Sequence, residues 1–196
     1  MNTKNFALTA SLILILFAAH AQEQALTSGL DIGKDCPAFD PRHVSGPDKA
    51  TTACPMCKYG YQQGVMIWMN TDSWDNISRL TVALEKEIQD KGLKRIRVFL
   101  MYMNPEGKSK TEMESMLTEF SKKNELKKVA VTYIPNPTDP KTAGVYDINP
   151  DKKIRNTVIV YKSRGVFDKV INFSAEPSSI EKLIASVRDA EMRKHF

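Results

Sequence analysis

The sequence predicts an α/β domain: a mixed β-sheet flanked by helices, with an irregular N-terminal arm. Three observations predict it. Residues 65–69 and 96–103 are apolar almost without a break, Arg97 apart, as strands covered on both faces are. Apolar residues then recur at helical spacing after each of these runs. Finally, two apolar runs flank Ser163-Arg164-Gly165, a hairpin signal, and a last amphipathic stretch closes the chain.

The first 21 residues read as a segment outside the fold. Lys4 supplies a positive start, residues 6–19 are apolar apart from Thr9 and Ser11, and Ala19-His20-Ala21 has the form of a cleavage site. This is the pattern of a secretory signal peptide, too short and wrongly flanked for a spanning helix. The chain is therefore expected to be exported, periplasmic or secreted, with its mature part starting near Gln22. No later run is apolar for long enough to span a bilayer, so no membrane partner is expected after cleavage. The net charge is +5 at pH 7, but Lys and Arg are scattered, which suits a solvated basic surface and not a nucleic-acid footprint.

Residues 22–63 form the arm. They carry Pro37, Pro41, Pro47, Pro55 and the Gly46-Pro47 turn signal, with Phe39 as an aromatic anchor. Residues 64–196 form the domain. Trp74, Ile77, Thr81, Leu84 and Ile88 mark a helix, with Gly92 as its stop. It joins the runs 65–69 and 96–103, which should therefore be adjacent, parallel and central. Ser109 and Glu112 make a capping-box pattern ahead of Met113, Met116, Leu117 and Phe120. Residues 129–134 give a third strand, and 140–146 a short helix. Strands at 157–161 and 166–173 form the hairpin. Pro177 then stands at a helix start before Ile180, Leu183, Ile184 and Val187. This order places helices on both faces of the sheet.

The chemistry of the chain concentrates in Cys54-Pro55-Met56-Cys57. Two thiols at this spacing can close a small disulfide ring or grip one metal ion, and the thiolate is the attacking form. An oxidising compartment favours the disulfide. Cys54 and Cys57 are the candidate catalytic pair, and Lys58 beside them would lower a thiol pKa. A structural disulfide pinning the arm is the competing reading. A third is a zinc or copper site made by Cys36, His43, Cys54 and Cys57, although the Cys36–Cys54 spacing matches no familiar zinc module. Taken alone, Cys36 suits a buried small apolar residue, a resolving thiol or a third ligand. Met56, Met66, Met69, Met101 and Met103, like Trp68 and Trp74, suit the core, and Asp72 and Ser73 suit helix caps. The chain has no Ser-His-Asp order, phosphate-binding glycine loop or credibly paired carboxylates.

The element order together with an exported CxxC resembles the thioredoxin-like superfamily, and within it the exported redoxin-type branch. The likeness runs from about Gly33 to the C-terminus. Gly33-Lys34-Asp35-Cys36-Pro37-Ala38-Phe39 resembles the G-x-x-x-P-x-F opening segment of redoxins, and residues 65–69 resemble their first core strand. The hairpin around Arg164-Gly165 resembles their terminal hairpin. The resemblance implies thiol–disulfide exchange or redox sensing, with protein thiols or disulfides as partners and no cofactor. By analogy with other CxxC motifs, Cys54 would attack and Cys57 resolve. The chain departs from the family twice. The family's CxxC follows the first core strand, where this chain reads Asn70-Thr71-Asp72-Ser73-Trp74, so the CxxC here is displaced ahead of the strand. That places it near the opposite edge of the sheet unless the arm folds back. The family's cis-proline is also missing, its segment reading Ile154-Arg155-Asn156-Thr157.

Overall fold

A computed structural model describes residues 26–90 and 96–192. Residues 1–21, with the pattern of a signal peptide, and Gly92, expected as a helix stop, lie outside the described residues. Among the described residues no helix is long and apolar enough to cross a membrane.

The core is a six-stranded mixed sheet of order β1-β4-β3-β2-β5-β6. Its strands are β1 (Arg42–His43), β2 (Gln63–Met69), β3 (Ile96–Tyr102), β4 (Ala130–Tyr133), β5 (Asn156–Lys162) and β6 (Gly165–Ile171). As expected, β2 and β3 are central and parallel, with Val65 opposite Val98 and Met69 opposite Tyr102. Strand β5 runs antiparallel to β2 and forms the hairpin with β6. Both faces of β2 are covered, which explains its unbroken apolar run.

Alternate residues of β2 feed two separate cores. Val65, Ile67 and Met69 enter one core with α2 (Trp74–Asp90), α3 (Lys110–Lys123) and α4 (Pro177–Met192). All three long helices thus put their apolar stripes on the same face. The capping box of α3 is formed as the sequence predicts, with Glu112 N–H on Ser109 and the Glu112 carboxylate on Ser109 N–H.

Met66 and Trp68 enter the second core, on the face opposite the three long helices. This face is covered by the arm, by the five-residue α1 (Pro55–Tyr59) and by the 140s segment, which makes only a single 3-10 turn at Gly144–Tyr146. Cys36, Phe39, Met56, Tyr59, Tyr146 and Ile148 supply its apolar side chains. Phe39 packs its ring 5.4 Å from Trp68 and 5.0 Å from Tyr146. Met56, Met66, Met69, Met101 and Met103 are all buried core residues, as the sequence predicts.

The arm is more regular than its prolines suggest, because it hydrogen-bonds to both edges of the sheet. On one edge Gly33 N–H donates to Val166 C=O, Val166 N–H to Lys34 C=O and Cys36 N–H to Arg164 C=O. On the other edge β1 pairs antiparallel with β4. The chain therefore crosses the second face between residues 36 and 42. It then returns through α1 to Gly60, whose carbonyl accepts the Arg164 N–H at 2.7 Å. Ser163 and Arg164 both adopt positive φ (48° and 71°), the geometry of a tight two-residue hairpin turn.

Candidate functional site

Cys54 and Cys57 are joined in a disulfide, with Cα atoms 5.3 Å apart. The local sequence explains the conformation. Pro55 stands at the first position of α1, where its fixed φ suits a helix and its missing N–H is not needed. Cys54 precedes it in an extended conformation as the cap, and its Sγ accepts the Cys57 N–H at 3.0 Å. Met56, between the two cysteines, is fully buried and anchors the turn to the second core. The two cysteines are unequally placed. Cys54 is half-buried and packs against the second core, whereas Cys57 is exposed.

The disulfide is suspended from both ends of its segment. At the front, His43 Nε2 donates to Ala53 C=O at 2.9 Å, tying the approach to Cys54 onto β1. A carbonyl oxygen only accepts, so Nε2 carries the proton of this bond, and His43 Nδ1 is buried with no hydrogen-bond partner among the described residues. Burial lowers the His43 pKa below the ordinary histidine value, and the Ala53 carbonyl and Asp48 oppose this only in part. At the back, Gly60 is fixed to the hairpin turn through Arg164.

Lys58 does not serve the role the sequence suggests. Its ammonium pairs with the buried Asp48 carboxylate, which raises the Lys58 pKa. Burial is the largest single influence on the Asp48 carboxyl and would raise it, but the hydrogen bonds from Lys58 and Tyr59 and the Lys58 and His43 charges together hold the carboxyl below its usual range. The cation beside Cys57 is thus already matched by an anion. Asp48 was not legible as a partner because it stands ten residues before Lys58, outside the helix that carries it.

Cys36 is free and fully buried. Burial, with Asp35 adding to it, pushes its thiol up to about 12, so it stays protonated at neutral pH. It shares the second core with Cys54 but behaves there as a small apolar residue, the first of its three sequence readings. The proposed ligand set Cys36, His43, Cys54 and Cys57 is not brought together. Among the described residues no three His, Cys, Asp or Glu side chains gather as a metal site requires.

The segment after β2, where redoxins carry their cysteines, holds a buried polar network instead. Asp72 Oδ1 accepts the Ser73 N–H at 2.8 Å. Its Oδ2 accepts from Asn76 Nδ2 at 2.7 Å and from Asn156 Nδ2. Both amides also donate to Phe173 C=O, each at 2.9 Å. Ser73 Oγ caps α2 by accepting the Asn76 N–H at 3.2 Å, as the sequence predicts. Asn156 begins β5, next to Arg155 of the segment where the cis-proline would stand, and every described peptide bond is trans. Nothing local in the sequence marks this network, because Asn156 meets Asp72 across 84 residues and Phe173 joins them only through tertiary packing.

No family model matches the chain, nor does any curated protein. Solved structures do. The chain is similar to peroxidoxin BcpB from Mycobacterium tuberculosis, at 12% identity and a TM-score of 0.61, over 84% of this chain and 99% of that one. It is also similar to BsSco, a member of the Sco family of cytochrome c oxidase assembly proteins, at 11% identity and a TM-score of 0.58. That likeness covers 86% of this chain and 100% of BsSco. A structure assigned as the thiol:disulfide interchange protein DsbE from Chlorobium tepidum matches at 18% identity and a TM-score of 0.56, over 82% of this chain and 98% of its own. At these identities the likeness establishes the fold alone, which is thioredoxin-like.

Proposed function

We propose that the protein is an exported redox protein that exchanges or senses thiols and disulfides through Cys54 and Cys57. The observation that carries this reading is the Cys54–Cys57 disulfide with one of its two cysteines exposed at the surface. Exchange requires access of a thiolate to one sulfur of the pair, and Cys57 is the exposed residue of the two. The similar structures named for peroxidoxin and thiol:disulfide interchange activity support the reading through a shared fold. Partners would be protein thiols or disulfides, and no cofactor is needed. The pair sits on α1 against the second core, so docking would use this face and not the C-terminal end of β2. Export to the periplasm or the exterior rests on the signal-peptide pattern of residues 1–21.

The test is reversible cycling in the native protein. Treatment with dithiothreitol and then glutathione disulfide, followed by alkylation and mass measurement, should show the Cys54–Cys57 pair opening and closing with Cys36 untouched. A pair that opens only in denaturant would refute the proposal in favour of a structural staple.

A further inference from the structure

The usual analogy makes the first cysteine of a CxxC the one that meets the partner. Here the two residues differ in the opposite sense. Cys57 is exposed, while Cys54 is half-buried against the second core. Cys54 Sγ also has a backbone donor, the Cys57 N–H at 3.0 Å. In thiol–disulfide exchange the attacked sulfur must be reachable, and the departing sulfur must carry negative charge well. A hydrogen bond to the charged form favours that form. Access selects Cys57 for attack, and the N–H donor selects Cys54 as the leaving thiolate.

We propose that Cys57 is the sulfur that exchanges with partner thiols, and that Cys54 is the leaving and resolving thiol. The proposal rests on the redox reading above and adds the polarity of the pair. A partner thiolate attacks Cys57 Sγ; a bond forms between the partner sulfur and Cys57, and the Cys54–Cys57 bond breaks. The electron pair of that bond leaves on Cys54 Sγ, held by the Cys57 N–H. A second thiolate of the partner then attacks its own sulfur in the mixed disulfide and releases Cys57 as a thiolate. The partner dithiol has become a disulfide, and the pair has gained two electrons. In the reverse direction the Cys57 thiolate attacks a partner disulfide. Cys54 then attacks Cys57 Sγ and expels the partner thiolate, re-forming the pair.

The experiment uses the oxidised wild-type protein with reduced glutathione at neutral pH. The reaction is quenched early with N-ethylmaleimide, and the peptide carrying both cysteines is fragmented in a mass spectrometer. Glutathione on Cys57 with maleimide on Cys54 is expected to exceed the converse by about tenfold or more. Equal labelling, or glutathione mainly on Cys54, overturns the polarity while leaving the redox reading intact. A native pair that takes up no glutathione, yet reacts once unfolded in urea, overturns the redox reading and the polarity with it. The folded Cys54→Ser variant gives a second readout. With glutathione disulfide it should form a lasting adduct at Cys57, faster than Cys57→Ser forms one at Cys54.

Discussion

Replacing Asp72 by alanine asks whether the segment where redoxins carry their cysteines has become structural in this chain. The Asp72 side chain is fully buried. Its Oδ2 takes one N–H from each of the amides of Asn76 and Asn156, whose other N–H groups go to Phe173 C=O. Removing the carboxylate leaves two buried donors without acceptors, at about 1–3 kcal/mol each. The Ser73 N–H loses its partner as well. Arg155 adds little, because its guanidinium is partly exposed and 3.8 Å away. The total is roughly 2–6 kcal/mol, which for a domain of this size lowers the melting temperature by roughly 5–20 °C. Asp72→Asn keeps one acceptor oxygen and should lose about half as much. Thermal and urea unfolding read the stability, and glutathione exchange reads the chemistry. A melt within about 2 °C of wild type would refute the network as a source of stability. A stable Asp72→Ala variant that no longer exchanges thiols would place Asp72 in the chemistry and refute the account.

Three further outcomes follow from the same geometry. A Cβ at Gly64 would lie 2.4 Å from both Arg97 C=O and Tyr161 Oη, so Gly64→Ala should cost at least about 1–3 kcal/mol in urea unfolding; a neutral result would contradict the packing of β2 between β3 and β5. Because burial lowers the His43 pKa in the folded state, the unfolded chain binds that proton at higher pH. The His43 contribution is therefore full above about pH 6.5 and is lost as pH falls from there through the folded value. The decline in melting temperature from pH 7 to 5 should be shallower in His43→Asn, and an unchanged slope would contradict the assignment. Asp48→Asn frees the Lys58 charge and should speed alkylation of reduced Cys57 at pH 7 by about two- to fivefold, whereas no change or a slower reaction would show that Lys58 does not act on that sulfur.

The elements that were legible in the sequence are those whose signals are local. The apolar runs of β2 and β3, the capping box at Ser109 and Glu112, and the turn at Ser163-Arg164 each carry their pattern within a few residues. The covering of the second face was not legible. Residues 33–43 hold it through backbone bonds to β6 and β4, and such pairings leave no periodic trace in a proline-rich stretch. A signal for α1 was present, since a Cys cap followed by Pro55 is a helix start, but a five-residue helix has no stripe to confirm it. The cysteine pair was legible as a pair. Its unequal exposure, the neutralisation of Lys58 by Asp48 and the burial of Cys36 depend on contacts between distant parts of the chain.

The central claim is that Cys54 and Cys57 cycle, and the reduction potential of the pair tests it most directly. The purified protein is equilibrated in glutathione buffers of graded ratio, and the oxidised fraction is read by alkylation. The account predicts a midpoint within the range of thiol–disulfide oxidoreductases, on the order of −270 to −120 mV. A midpoint below about −300 mV, where structural disulfides of exported proteins lie, would contradict it and leave the pair as a staple for α1.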